Sequence, residues 1–324
     1  MANSEMRATL HGPHSLSTPP SAGDVFRNQA FRWLTASFTW ATVFLLAFIV
    51  IKIGGKAIPA LQTYGVNFLL TSTWDVRAGQ YGILPQIWGT LYSSLLALVL
   101  GGFFGVTIAI FLTQDFLPHR VEMVLKSIIE LLAAIPSVVY GLWGIYVLIP
   151  LIRPVADFFH AHFGWLPFFS TSLSGPGMLP AALVLAIMIL PTIAAISQDA
   201  LRAIPLKTKE AAFGMGTTRW EAVLRVMLPT ASGGIFGALV LGLGRALGET
   251  MALAMLIGNS NQISLSVFTP ANTLAALLAL NFPEANEHQV SVLMYAACIL
   301  LLITLLVNMA GTAIIIGTGS GVKK

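Results

Sequence analysis

The sequence predicts an all-α integral membrane protein, and three observations carry that expectation. Charged residues are only 9% of the 324-residue chain, against about 25% in soluble domains. Mean hydropathy is +0.82. The hydrophobic residues, 56% of the total, gather into about six runs of the roughly 20 residues that a helix needs to cross a bilayer.

In chain order, residues 1–31 are polar, rich in Ser and Pro, and read as a cytoplasmic tail without the apolar core of a cleavable leader. The spans are expected near 33–53, 87–114, 128–152, 178–198, 229–258 and 289–317. Residues 32–84 then hold the first transmembrane helix and an outside segment, 85–317 the main transmembrane domain, and 318–324 a second cytoplasmic tail. Segments 54–86 and 153–177 are expected outside, at the membrane surface, where Trp74 and Trp165 suit the interface. Pro136, Pro180 and Pro191 are expected to kink or interrupt helices. Gly101/Gly105, Gly233/Gly237 and Gly244/Gly248 have the small-xxx-small spacing of close helix contacts.

Composition also excludes functions. The pI is near 9.3, yet the basic residues are spread along the loops, which argues against nucleic acid. A single cysteine, Cys298, lies in an apolar run and supports neither a disulfide frame nor a thiolate metal site. His160 and His162, with Asp157, are too few positioned ligands for zinc. The terminal GTGSGVKK lacks the Lys-Ser/Thr pair of a phosphate-cradling loop, and no Ser-His-Asp arrangement emerges. The chain is read as no enzyme, binding no cofactor or metal of its own.

Lys and Arg set an orientation. With the N-terminus inside, the cytoplasm receives Arg7, Arg27, Arg32, Arg120, Lys126, Arg202, Lys207, Lys209, Arg219, Arg225, Lys323 and Lys324. The outside receives Lys52, Lys56, Arg77 and Arg153, and Arg245 stays in the membrane. This 12-to-4 bias places both termini and the 199–228 loop in the cytoplasm.

That loop is a charged, helix-forming island between apolar runs. Pro205 suits a helix start, and Gly216 suits the left-handed residue that ends one. Thr218 with Glu221 reads as a capping box for a second helix. Two short helices joined by a glycine turn make a compact knob, and Ala211 and Ala212 are expected to let another protein's backbone approach closely. The order Glu210-Ala211-Ala212, Gly216, nine residues, Val226, Leu228 and Pro229 resembles the EAA loop of ABC-importer permeases, with Val226 where Ile is usual. The resemblance implies that these seven residues couple to an ATP-hydrolysing subunit.

In the fifth run, GLGRALGETMALAML, Arg245 and Glu249 are four apart and expected on one face of a helix. A charge near a bilayer centre costs at least about 2.5–3.5 kcal/mol on insertion scales. The two side chains therefore neutralise each other, or Arg245 finds a partner on another helix or a passing anion. The RALGET run, AIPSVVYGLWG at 134–144 and WDVRAGQYGILPQIWGTL at 74–91 are similar to the permease of phosphate-specific ABC importers, the PstC type. This implies a type I ABC-importer permease-like bundle in the inner membrane, moving inorganic phosphate. It implies a PstA-like permease as heterodimeric partner, two PstB-like ATPase subunits using ATP and Mg, and a PstS-like phosphate-binding protein. It assigns Arg245 and Glu249 to phosphate passage; Ser137 and Tyr140, beside the Pro136 kink, are read as offering hydroxyls to the path. Two alternatives stay open: a permease for sulfate or molybdate, and an ATP-independent carrier or channel.

Overall fold

The computed structural model describes residues 21–114 and 116–319, with side chains to 315. The expected tails fall outside the described residues at 1–20 and 320–324. Among the described residues, six helices are long and apolar enough to cross a membrane. The chain divides into two compact units, Met1–Lys52 and Ile53–Lys324.

The described part of the first unit belongs to α1, Ala22–Tyr64. This helix begins about ten residues before the expected span, because the stretch called a tail is helix-forming from Ala22. Ser21 and Asp24 cap it: the Asp24 N–H donates to Ser21 Oγ at 3.2 Å, and Arg27 pairs with Asp24. Inside the run, Thr35, Ser37, Thr39 and Thr42 return their hydroxyl protons to carbonyls one turn back. These four hydroxyls are thus satisfied within the helix, as a bilayer-spanning segment requires.

The second unit opens with the end of α1, a short helix α2 (Asn67–Leu70) and a hairpin of β1 (Trp74–Asp75) with β2 (Gln80–Tyr81). The stretch expected as a surface connection is thus partly helical. Phe68 stacks on Tyr295 at 4.7 Å between ring centroids, and Trp74 meets Tyr81 edge-on at 5.0 Å.

The spans follow. Helix α3 is Leu84–Phe111, with Pro85 in its first turn, where a missing N–H costs nothing. Helix α4 is His119–Ala134. The chain breaks at Ile135-Pro136, since the residue before a proline is driven out of the helical region. It resumes as α5 (Ser137–Trp143), a π-turn (Gly144–Leu148) and α6 (Ile149–Phe163). The third span is therefore Ser137–Phe163, a shift from the expected 128–152. Helix α7, Met178–Arg202, is unbroken; Pro180 falls in its first turn and Pro191 interrupts nothing. After a loop helix α8 (Leu206–Gly214), α9 (Arg219–Ala222) runs through a π-turn (Val223–Met227) into α10 (Leu228–Leu247). A short α11 (Met251–Leu256), a long irregular segment, α12 (Leu274–Asn281) and α13 (Glu287–Gly319) complete the chain.

Each π-turn ends two residues before a proline, Pro150 and Pro229. A proline ring clashes with the carbonyl four residues back and supplies no N–H. Widening one turn removes the clash and lets the helix continue.

The core is α7 between α3 and α10. Ile189 and Ile193 on α7 are fully buried, and glycines make room for them. A methyl on Gly101 would lie 2.8 Å from both the Ala186 carbonyl and Ile189; one on Gly105, 3.0 Å from Ile193; one on Gly242, 2.7 Å from Ile193. The Gly101/Gly105 spacing is thus a real helix contact. Gly233 has open space around it and Gly237 touches only Ile315 at 4.0 Å, so the second pair makes no close contact.

Residues 258–273 are irregular backbone packed on the start of α3. Trp88 Nε1 donates to Ser264 O at 3.1 Å, Tyr92 Oη to Leu265 O at 2.8 Å, and the Leu274 N–H to Thr90 Oγ1 at 2.9 Å. Gly89 admits the Asn272 carbonyl, which a methyl would meet at 2.0 Å. Non-helical backbone at this depth is tolerable because it is satisfied within the protein.

Gly101→Ala is expected to lower the aggregation midpoint of the detergent-solubilised chain by several degrees, since overpacking costs about 1–3 kcal/mol. Gly55→Ala, in open space, is expected to leave the midpoint unchanged. Thermal aggregation followed on the two variants checks this.

Candidate functional site

The 199–228 segment folds as a knob. Pro205 precedes α8 with φ −56° and ψ 138°. The Met215 N–H donates to Ala211 O at 3.1 Å and the Gly216 N–H to Phe213 O at 2.9 Å. Gly216 has φ +80°, the left-handed conformation its lack of a Cβ makes accessible. Thr217 Oγ1 donates to Ala212 O at 2.8 Å. The capping box is present: the Thr218 N–H donates to Glu221 Oε2 at 2.9 Å, and the Glu221 N–H to Thr218 Oγ1 at 3.4 Å. The second helix is not short, because α9 continues without a break into α10.

The two alanines face opposite ways. Ala211 is exposed, but Ala212 is 1% exposed, packed with Ile110, Leu201, Val223 and Met227. Close approach by another protein is therefore open at Ala211 alone, and Ala212 seats the knob on its own bundle. Val226 and Leu228 pack on the same cluster; Glu210 and Pro229 are exposed. Trp220 stacks on Phe116 at 4.8 Å and meets Phe111 edge-on at 6.1 Å, tying the knob to the end of α3. Beside them a cleft of about 290 Å³ is lined by Gln114, Lys209, Glu210, Phe213 and Arg219.

Arg245 and Glu249 do not share a helix face. Helix α10 ends at Leu247, with Gly248 as its C-cap at φ −94° and ψ −2°. Glu249 stands outside the helix, and its Oε1 accepts the Ala252 N–H at 3.3 Å at the start of α11. No ion pair joins them among the described residues. Arg245 Nη1 instead donates to Thr192 Oγ1 on α7 at 3.0 Å. Thr192 lies fourteen residues past Met178 on a helix of 25, or roughly 21 Å along it at 1.5 Å per residue. Arg245 is exposed to a cleft of about 750 Å³ between α7, α10 and α13, also lined by Gly244, Asn308 and Thr312. Among the described residues, the hydrogen-bond partner of Arg245 is this one neutral oxygen, Thr192 Oγ1.

Ser137 and Tyr140 are not among the residues lining that cleft. Ser137 opens α5. Tyr140 is 5% exposed, and its Oη donates to Leu132 O at 2.8 Å, pinning α5 to α4 across the proline break. Its phenol proton is engaged by that carbonyl. Sequence reasoning missed Thr192 and Asn308. Asn308 carried a readable signal, as a lone carboxamide inside ILLLITLLVNMAG.

The family of binding-protein-dependent transport system inner membrane components matches residues 105–313. Curated relatives are phosphate transport system permease proteins PstC. That of Haemophilus influenzae is 41% identical over 285 residues, covering 86% of this chain and 89% of the relative. That of Xylella fastidiosa is 38% identical over 276 residues, covering 84% and 85%. A probable PstC of Methanocaldococcus jannaschii is 34% identical over 285 residues, covering 84% and 90%. Among solved structures, a bacterial ABC transporter importing the acidic polysaccharide alginate matches with TM-score 0.60 at 16% identity, over 90% of this chain and 98% of that one. The MetNI methionine ABC transporter in an inward-facing conformation matches with TM-score 0.54 at 19% identity, over 73% and 95%. The fold is that of an ABC-importer permease, and the chain belongs to the family of binding-protein-dependent transport system inner membrane components.

Gly216→Val is expected to strain the knob by about 1–3 kcal/mol, because a β-branched residue is an outlier at positive φ. Trypsin cleavage at Lys209 and Arg219 in the membrane-embedded chain is expected to speed up several-fold. Gly214→Ala, with open space and no positive φ, is expected to cleave at the parental rate.

Proposed function

We propose that this multi-pass inner-membrane permease subunit carries inorganic phosphate through an ATP-driven importer. The observation that carries the substrate is 34–41% identity, over most of the chain, to permeases named for phosphate transport. Arg245 supports it: a guanidinium held by a hydroxyl, and in no ion pair among the described residues, is matched to an oxyanion by its planar fork of donors.

The importer comprises a PstA-like permease, two PstB-like ATPases that use ATP and Mg, and a PstS-like binding protein delivering phosphate to the outer face. Both termini and the 199–228 loop lie in the cytoplasm, on the strength of the Lys and Arg bias. Exposed Glu210, Ala211, Leu206 and Met215 meet the ATPase; Gly216, Ala212, Val226, Leu228 and Pro229 shape and seat the surface they stand on. Movement of the knob reaches the passage along one continuous helix, Arg219–Leu247, which ends next to Arg245. Rocking that helix against α7 exchanges access to Arg245 between the two sides. Glu249 limits how tightly phosphate stays, since a passage must release what it binds.

Two measurements test this. In the assembled complex in proteoliposomes, Arg245→Gln is expected to lower ATP-dependent phosphate uptake at least about a hundred-fold, the scale of a lost charged partner. Normal uptake by that variant removes Arg245 from the passage, and absence of ATP-dependent phosphate uptake by the parental complex overturns the substrate. For topology, single cysteines at Thr63 and Ala285 in a Cys298→Ser background are expected to react with an impermeant thiol reagent outside intact membranes, and one at Thr217 to resist it. Labelling at Thr217 reverses the orientation and ends the docking role.

A further inference from the structure

We infer that Asn308 is the residue that separates phosphate from fully ionised oxyanions such as sulfate in the Arg245 cleft, with Thr192 as the residue that positions the guanidinium. The inference rests on the reading of Arg245 as facing the phosphate passage, and it adds what that reading lacks, a cause of selectivity. Arg supplies five donors and no acceptor. A site of donors alone treats phosphate and sulfate alike, because both present four oxygens in a tetrahedron. The two differ in a proton: phosphate keeps at least one P–O–H at neutral pH, and sulfate has none. Discrimination therefore needs a hydrogen-bond acceptor set among the donors.

The cleft holds few side chains able to accept. Thr192 Oγ1 already receives Arg245 Nη1. Thr312 Oγ1 gives its proton to its own helix, at Asn308 O, 2.8 Å away; it keeps lone pairs to accept with but has no proton left to return to a phosphoryl oxygen, which a carboxamide does. The Asn308 side chain makes no hydrogen bond to the rest of the described chain, and it faces Gly244, one residue before Arg245. A methyl built on Gly244 would lie 3.1 Å from Asn308 Oδ1 and 3.5 Å from Nδ2, so the glycine leaves the carboxamide bare toward the backbone beside the guanidinium. A carboxamide carries an acceptor and donors whichever way its plane is turned. It accepts the P–O–H of phosphate while its N–H donates to a phosphoryl oxygen. Sulfate meets the same Oδ1 with lone pair against lone pair, and a polar site left unmatched rejects the wrong ligand. A carboxylate in this place would accept the proton too, but it would repel the anion that Arg245 attracts.

Thr192 acts through Arg245. A hydroxyl that takes a guanidinium N–H as acceptor keeps its own proton to donate elsewhere. The other intramembrane hydroxyls at Thr107 and Thr312 spend theirs on carbonyls one turn back. Thr192 makes no such bond, so it holds the guanidinium without turning away from the cleft.

The test uses the assembled transporter in proteoliposomes without the binding protein, so that selectivity read is that of the permease. Leu241→Cys at the cleft, in a Cys298→Ser background, reports occupancy by its rate of modification with a thiol reagent. Phosphate and arsenate are expected to protect at concentrations about ten- to a hundred-fold below sulfate, the worth of one hydrogen bond to a charged partner. Asn308→Leu is expected to bring that ratio near one by weakening phosphate and relieving the repulsion of sulfate, and Asn308→Gln to restore part of it. Thr192→Val is expected to weaken both anions alike. Recovery of the partner subunits with each variant shows that it assembles. Equal protection by phosphate and sulfate in the parental cleft, or an unchanged ratio in Asn308→Leu, overturns the inference. ATP-dependent phosphate uptake is measured on the complete complex in parallel. Uptake without phosphate protection of Leu241→Cys overturns the inference and leaves the phosphate reading standing; no uptake by the parental complex overturns both.

Discussion

The structure depends on one packing event, the insertion of Ile189 and Ile193 of α7 into glycine notches on α3 and α10. Lipid is as apolar as these side chains, so the hydrophobic effect gives the helices little reason to meet. What remains is close van der Waals contact, each atom pair worth only about 0.1–0.2 kcal/mol and useful in number. Gly101, Gly105 and Gly242 let backbone and isoleucine come near enough to make many such contacts. The notches also fix register. With Ile193 seated against Gly242, the residue before it, Thr192, meets Arg245 three positions further along α10. The polar centre is thus placed by apolar packing.

That centre is costly, and its cost is informative. Arg245 meets a hydroxyl where an ion pair was one expectation, and the hydroxyl neutralises nothing. A fold selected only for stability has little use for such a residue at the middle of a helix bundle, where packed apolar groups serve as well or better. Bringing Glu249 onto the same face needed only that α10 continue one more turn. The chain instead stops α10 at Gly248 and spends the carboxylate on the start of α11.

How much was legible in the sequence follows from where the signals are local. The knob was readable because its determinants lie within one short segment, 205–221: a proline start, a glycine at φ +80°, and a Thr218–Glu221 capping box. The facing of Ala212 was not, because it is set by Ile110 and Leu201, about a hundred and about ten residues away. The break after Leu247 was visible as Gly248 but outweighed by the apolar run around it. Hydropathy cannot tell a segment exposed to lipid from one buried in protein, and residues 252–257 are buried or half-buried. The same limit hid the irregular stretch 258–273, whose polar groups are satisfied by Thr90, Trp88 and Tyr92 on a distant span. Pro136 was expected as a kink inside a span and is the boundary of one, because a proline signals departure from helix without saying how far the chain departs.

The π-turn at Val223–Met227 connects these parts. A proline at 229 threatens to break the helix where the knob joins the span, and a broken joint would let the knob move without moving Arg245. Widening the preceding turn keeps the hydrogen-bonded ladder continuous from Arg219 to Leu247. The joint is also packed from the side, since Val223 and Met227 are buried with Ala212 and Ile110. A helix both continuous and clamped transmits displacement as a rod does, because packed interiors are poorly compressible. Proline at this place therefore need not make a hinge. With the strain absorbed one turn earlier, it marks the point where the knob and the membrane-spanning helix become one continuous element.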